Sequence, residues 1–181
     1  MTDLSSHVPA INEASEGLVR LAGWCAYVGG IVSVFGNIFL VIFFTLGGVF
    51  GTLNDIAVII QYVLMLPIAL ALFQLLQPYE QSLSLVGMLI GIAGMLAVII
   101  LQFLLVVDVL PFSQQIIMVV PAFLVVLAWF VVNAYLGRSR NLVPNSMPLT
   151  VLAGLYIGYP IWGYFLGRRL LSLRRDSEQV A

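Results

Sequence analysis

Apolar residues run without alternation through five stretches of the chain: Trp24–Leu46, Leu53–Leu76, Leu85–Val107, Gln114–Leu136 and Pro148–Arg168. A bilayer's hydrocarbon core is about 30 Å thick and takes about 20 apolar residues per helix, so each stretch is long enough to cross it. The runs are apolar on every side, whereas the strands of a membrane barrel alternate. Away from water a helix satisfies its own backbone groups. The pattern therefore predicts an all-α, polytopic integral membrane bundle of five transmembrane helices. Short connections rich in Gly, Pro, Asn and Ser separate the runs, such as Gly47–Thr52, Gln77–Ser82 and Asp108–Ser113, the expected turn chemistry. None is large enough to fold by itself. The expected organisation is a polar, mostly disordered tail over 1–16, one membrane domain over 17–171 and a polar tail over 172–181. The tail over 1–16 has no basic start of the kind a cleavable signal peptide carries.

Composition sharpens this reading. Of 181 residues, 62% are hydrophobic and 8% charged, against roughly 45–50% and 25% in soluble domains. So few charges do not coat a water-soluble globule. All seven basic residues are arginine and the net charge is −1, which leaves no basic field for nucleic acid. One cysteine, Cys25, and one histidine, His7, exclude an intrachain disulfide and a zinc cluster; no metal and no cofactor is expected.

Helices in lipid have no hydrophobic drive toward one another and need small residues for close approach. The first run carries Ala22, Ala26 and Gly30, and also Gly29, Ser33 and Asn37, at a spacing of four. The third carries Gly87, Gly91 and Gly94, and the fifth carries Gly154, Gly158, Gly163 and Gly167. These stripes predict that helices one, three and five form the packed interior, or that one stripe serves a second copy or a partner subunit. Pro67, Pro121 and Pro160 fall inside runs; each removes a backbone donor and predicts a kink.

Polar side chains inside a membrane are costly, so their placement is informative. With five full crossings, the first, third and fifth helices end on the side where the second and fourth begin. At 1.5 Å per residue, Asn37 and Gln61 lie roughly 12–14 Å in from that side and Gln102 roughly 8 Å. Asp55 and Asp108 fall near its mouth, level with Arg168 and Arg169. Tyr159 and Trp162, in an aromatic segment of the last run, reach the depth of the amides. Two readings stand. One is a polar pocket lined by Asn37, Gln61, Gln102, Tyr159 and Trp162, flanked by Asp55 and Asp108. The other is interhelical hydrogen-bond glue, which averages about 0.6 kcal/mol per bond. The cluster Arg168, Arg169, Arg174 and Arg175 points to a cytoplasmic C-terminus, and five crossings then place the N-terminus outside.

Catalytic chemistry is not expected. There is no nucleophile elbow, no phosphate loop with its lysine, and His7 lies in the tail, away from the spans. Three segments carry a resemblance: Gly158–Leu171 (GYPIWGYFLGRRLL), Leu18–Gly23 (LVRLAG) and Leu66–Leu76 (LPIALALFQLL). They resemble the last, first and second spans of a family of small prokaryotic multipass membrane proteins whose function is unknown. That resemblance implies a bacterial inner-membrane protein and transfers no site residues. The functional expectation is a non-enzymatic accessory subunit, or a binder of a lipid or small apolar molecule. The alternative is a small-solute transporter or channel acting as an oligomer. The expected partners are membrane lipids and either further copies of the chain or a membrane subunit.

Overall fold

The computed structural model describes residues 13–138 and 157–178, with side chains over 16–137 and 157–173. Five helices account for almost all of it: α1 Glu13–Leu46, α2 Phe50–Leu76, α3 Gln81–Val106, α4 Phe112–Arg138 and α5 Tyr159–Glu178. The first four are long and apolar enough to cross a membrane; α5 is not among them. The helices extend past their apolar stretches at one or both ends, α1 and α4 at their starts and α5 at its end among them. Hydropathy marks which residues suit lipid, while a helix continues through polar turns such as the one holding Glu16 and Arg20. α1 starts at Glu13, within the segment expected as a tail, and α5 continues through Glu178. Residues 1–12 lie outside the described part.

Local chemistry sets the turns. Gly47 and Gly48 both take positive φ, 66° and 69°, which glycine adopts without a side-chain penalty. They end α1, and the chain reverses within three residues. At the end of α3, Asp108 has φ 57°. Its N–H donates to the Leu105 carbonyl at 3.1 Å, and the Val109 N–H donates to that of Leu104 at 3.0 Å. This paired pattern around a left-handed residue is a Schellman cap, and aspartate tolerates that conformation better than most side chains.

Successive helices pack antiparallel, α1 on α2, α2 on α3 and α3 on α4, and α5 packs on α1. The expected interior of helices one, three and five is not formed: among the described residues α1 and α3 share no interface. The stripe of α3 faces α4 instead, with Gly87 against Val132, Gly91 under the Trp129 ring and Gly94 against Val125 and Val126. The stripe of α1 does meet the last helix. A side chain on Gly163 would come within 2.7 Å of the Ala26 carbonyl oxygen, one on Gly167 within 2.9 Å of that of Gly23, and one on Gly30 within 3.2 Å of that of Pro160. These three contacts fix the direction of α5 as antiparallel to α1, because residue numbers fall on one helix as they rise on the other.

The same contacts fix where α5 begins. Pro160 stands opposite Gly30, close to the middle of the apolar stretch Glu16–Leu46 of α1. The expected continuous helix over 148–168 is thus interrupted: Ile157 and Gly158 form a turn, and α5 starts at Tyr159 at mid-height. Residues 148–156, including Gly154, lie outside the described part. Pro160 is the second residue of α5 rather than a mid-span kink, a position where its missing N–H costs no helical bond. Pro67 and Pro121 do lie inside helices, as expected.

Starting at mid-height and running parallel to α2 and α4, α5 ends beside the start of α1. This overturns the expected pairing of charges. Arg168 and Arg169 lie at the end of the bundle that holds Arg20, the α2–α3 turn and the last residue of α4. Asp55 and Asp108 lie at the opposite end, by the α1–α2 and α3–α4 turns. The expectation failed on parity, because it counted the last run as a full crossing.

Candidate functional site

The face that α5 turns inward carries Tyr159, Trp162, Leu166 and Leu170, spaced three and four residues apart and all fully buried. Its neighbouring face carries Gly163 and Gly167 against α1. With the backbones so close, the first turn of α5 projects large polar aromatics into the bundle at mid-height. The Tyr159 hydroxyl lies 3.0 Å from where a side chain on Gly29 of α1 would begin, so the absence of one there admits it. Ser33 follows one turn further along α1 and is fully buried. Gly51 lies against Phe43; ten residues along in each direction, that register carries Gln61 of α2 to the height of Ser33, to within about one turn.

Aromatic rings close the α4 side. Phe130 meets Trp162 edge-on at 4.8 Å and Tyr159 at 6.5 Å, and Trp129 meets Phe130 at 4.9 Å. Tyr159 and Trp162 lie 5.7 Å apart. Ring contacts rather than close backbones join α4 to α5, a favourable arrangement for quadrupolar rings.

Within this layer four buried polar atoms have no hydrogen-bond partner: Ser33 Oγ, Gln61 Oε1, Tyr159 OH and Trp162 Nε1. A buried group left unpaired costs about 1–3 kcal/mol. Four together approach the net stability of a typical protein, about 5–15 kcal/mol. Glue is therefore the wrong description of this layer, since glue is a bond made. These groups lie at nearly one height on α1, α2 and α5, and none of them bonds to another.

The other expected site residues are distributed elsewhere. Gln102 is buried but satisfied, accepting a 3.0 Å hydrogen bond from Gln115 Nε2 on α4; here the glue reading holds. Asn37 is half-buried beyond the start of α5. Asp55 is half-buried in the early part of α2, where its Oδ1 accepts from Asn54 Nδ2 at 3.5 Å. Asp108 is exposed and caps α3. Of the seven residues expected to line or flank one pocket, the structure places Gln61, Tyr159 and Trp162 in one layer. Ser33, one turn from Gly29, belongs at this height too but read as a small residue for packing; a hydroxyl in mid-run was the available signal. Gln115 was passed over because it opens a run, where polar residues are ordinary.

Comparison with models of known families, with curated proteins and with solved structures returns no match.

Proposed function

We propose that this is a multi-pass protein of the inner (plasma) membrane that binds a lipid or another small, mostly apolar molecule in the mid-height layer and catalyses no reaction. The observation that carries the reading is the set of four buried, unpartnered polar atoms drawn from three helices to one depth. A bound molecule with a polar group satisfies them; an empty layer leaves them uncompensated in a low-dielectric interior. The four apolar helices supply the crossings, and α5 takes the place of the expected fifth span, covering half the depth.

Helix direction also bears on orientation. Arg20, Arg168 and Arg169 gather at one end, where α4 finishes at Arg138, while the turns 47–49 and 107–111 contain no arginine. By the positive-inside tendency, the arginine end faces the cytoplasm. The start of α1 and the end of α5 then both lie there, which replaces the expected external N-terminus. Trp24, Tyr27, Tyr135 and Tyr164 lie just inward of those arginines, and Tyr27 meets Tyr164 edge-on at 5.7 Å, as interfacial aromatics do.

The test is native purification in mild detergent followed by mass spectrometry of what travels with the chain. Wild type is expected to carry a stoichiometric small molecule that Trp162→Phe loses or depletes. A wild-type protein without one refutes the reading. A second reading, small-solute transport by an oligomer, draws on Asn54 and Gln74: their side-chain oxygens are also unpartnered, nearer the two ends of α2. Solute flux into proteoliposomes that Gln61→Leu abolishes favours transport over static binding.

A further inference from the structure

The chemistry of the layer narrows what it holds, and this step rests on the binding reading above. Trp162 Nε1 only donates; the Ser33 and Tyr159 hydroxyls donate or accept; the Gln61 carboxamide oxygen accepts. Each of these residues is at most 1% exposed. The layer therefore offers up to three donors to acceptor oxygens of a ligand, and the Gln61 oxygen calls for a donor.

Charge is kept at a distance. On α5, Arg168 lies six residues beyond Trp162, and on α2, Asp55 lies six residues before Gln61, about 9 Å along each helix. On α1, Arg20 is further still from Ser33. Among the described residues no charged side chain lies within a helical turn of the four along its own helix. An ionised headgroup drawn to this depth has no counter-charge beside it. The first turn of α5 contributes the positive end of a helix dipole at the same height, which suits a carbonyl oxygen. The Phe130 and Trp162 rings offer an apolar wall beside the Tyr159 hydroxyl.

We infer that the layer binds an uncharged amphiphile bearing a carbonyl oxygen and a free hydroxyl on an otherwise apolar body, the chemistry of an acylglycerol, and discriminates against ionised lipids. The carbonyl meets the donors Trp162, Tyr159 and Ser33, and the hydroxyl donates to Gln61.

Two probes with the same acyl chains test this on the full chain in detergent: dioctanoylglycerol and dioctanoyl phosphatidate, titrated separately and read by native mass spectrometry. Dioctanoylglycerol is expected to bind saturably, and phosphatidate about a hundredfold more weakly, the penalty of placing a charge at mid-depth. Trp162→Phe and Ser33→Ala are each expected to weaken dioctanoylglycerol about threefold to tenfold, one neutral hydrogen bond apiece. Ser33→Ala should leave the unfolding midpoint at or above that of wild type, since it removes an unpaired group at nearly constant volume; it serves if Trp162→Phe, which also gives up ring contacts, does not fold. Equal or tighter binding of phosphatidate overturns the assignment of an uncharged ligand while leaving a binding site in place. Failure of dioctanoylglycerol to bind saturably, or binding indifferent to both variants, also overturns it. Whether wild type still carries a stoichiometric companion then decides the broader reading separately.

Discussion

Replacing Gly163 by alanine probes the contact that sets the direction and height of α5. The added carbon lands 2.7 Å from the Ala26 carbonyl oxygen and 3.6 Å from the Gly30 α-carbon. Both are backbone atoms of α1 and have no rotamer by which to yield. Ordinary contact begins near 3.4 Å, so the helices must separate by roughly 0.7 Å or shear past one another. Overpacking of this kind costs about 1–3 kcal/mol. Against it stands the intrinsic preference of alanine over glycine in a helix, about 0.8–1.0 kcal/mol. The net expectation is a loss of up to about 2 kcal/mol, with the centre near 1. Gly17→Ala is the control, because nothing lies within 4 Å of its added carbon; there the helical preference acts unopposed and stability rises by up to about 1 kcal/mol. Reversible unfolding in mixed micelles, followed by circular dichroism, measures both. A Gly163→Ala protein as stable as Gly17→Ala would refute the close crossing, and with it the assignment of α5 to mid-height. A second consequence follows from the geometry. Separation of α1 from α5 draws the Tyr159 hydroxyl away from Gly29, so ligand retention is expected to fall with stability in this variant and not in the control.

Three further outcomes are expected. Gln102→Leu or Gln115→Leu alone strands a buried amide and costs about 1–3 kcal/mol, whereas the double replacement recovers most of the loss; a double-mutant cycle by unfolding reads the difference, and strict additivity counts against the 3.0 Å bond. Asp108→Gly preserves or raises stability while Asp108→Val lowers it by about 1 kcal/mol, because the left-handed cap at φ 57° suits glycine and burdens a β-branched residue; equal melting of the two variants removes the cap argument. In a Cys25→Ala background, Val49→Cys and Asp108→Cys are expected to react with an impermeant maleimide added to intact cells, and Glu80→Cys only after permeabilisation; the reverse pattern inverts the proposed orientation.

Much of the bundle was legible in the amino-acid order. Four of the five expected spans are helices that contain the apolar runs almost entirely, and the described turns fall at the glycine- and proline-bearing connections. The fifth differed because its signal had two local explanations. Gly158 followed by Pro160 marks a kink inside a continuous span as well as it marks the beginning of a new helix, and hydropathy does not choose between them. The candidate site divided along the same line. Tyr159 and Trp162 stood out as aromatics far from an interface, and Gln61 as an amide in mid-run. Asp55, Asp108, Asn37 and Gln102 were grouped with them by depth alone, and depth does not say which face of a helix a side chain occupies or what it bonds.

Apolar content, continuous runs and turn residues are properties of neighbours along the chain, so the helical, membrane-suited character of this protein was determined by sequence alone. The depth at which α5 begins, and the end of the bundle to which it carries its arginines, depend on glycine backbones of α1 and α5 separated by more than a hundred residues. Only the packed structure brings those backbones together. Those non-local contacts therefore decide where α5 begins, and with that decision the charges change ends and Tyr159 and Trp162 come to the height of Ser33 and Gln61.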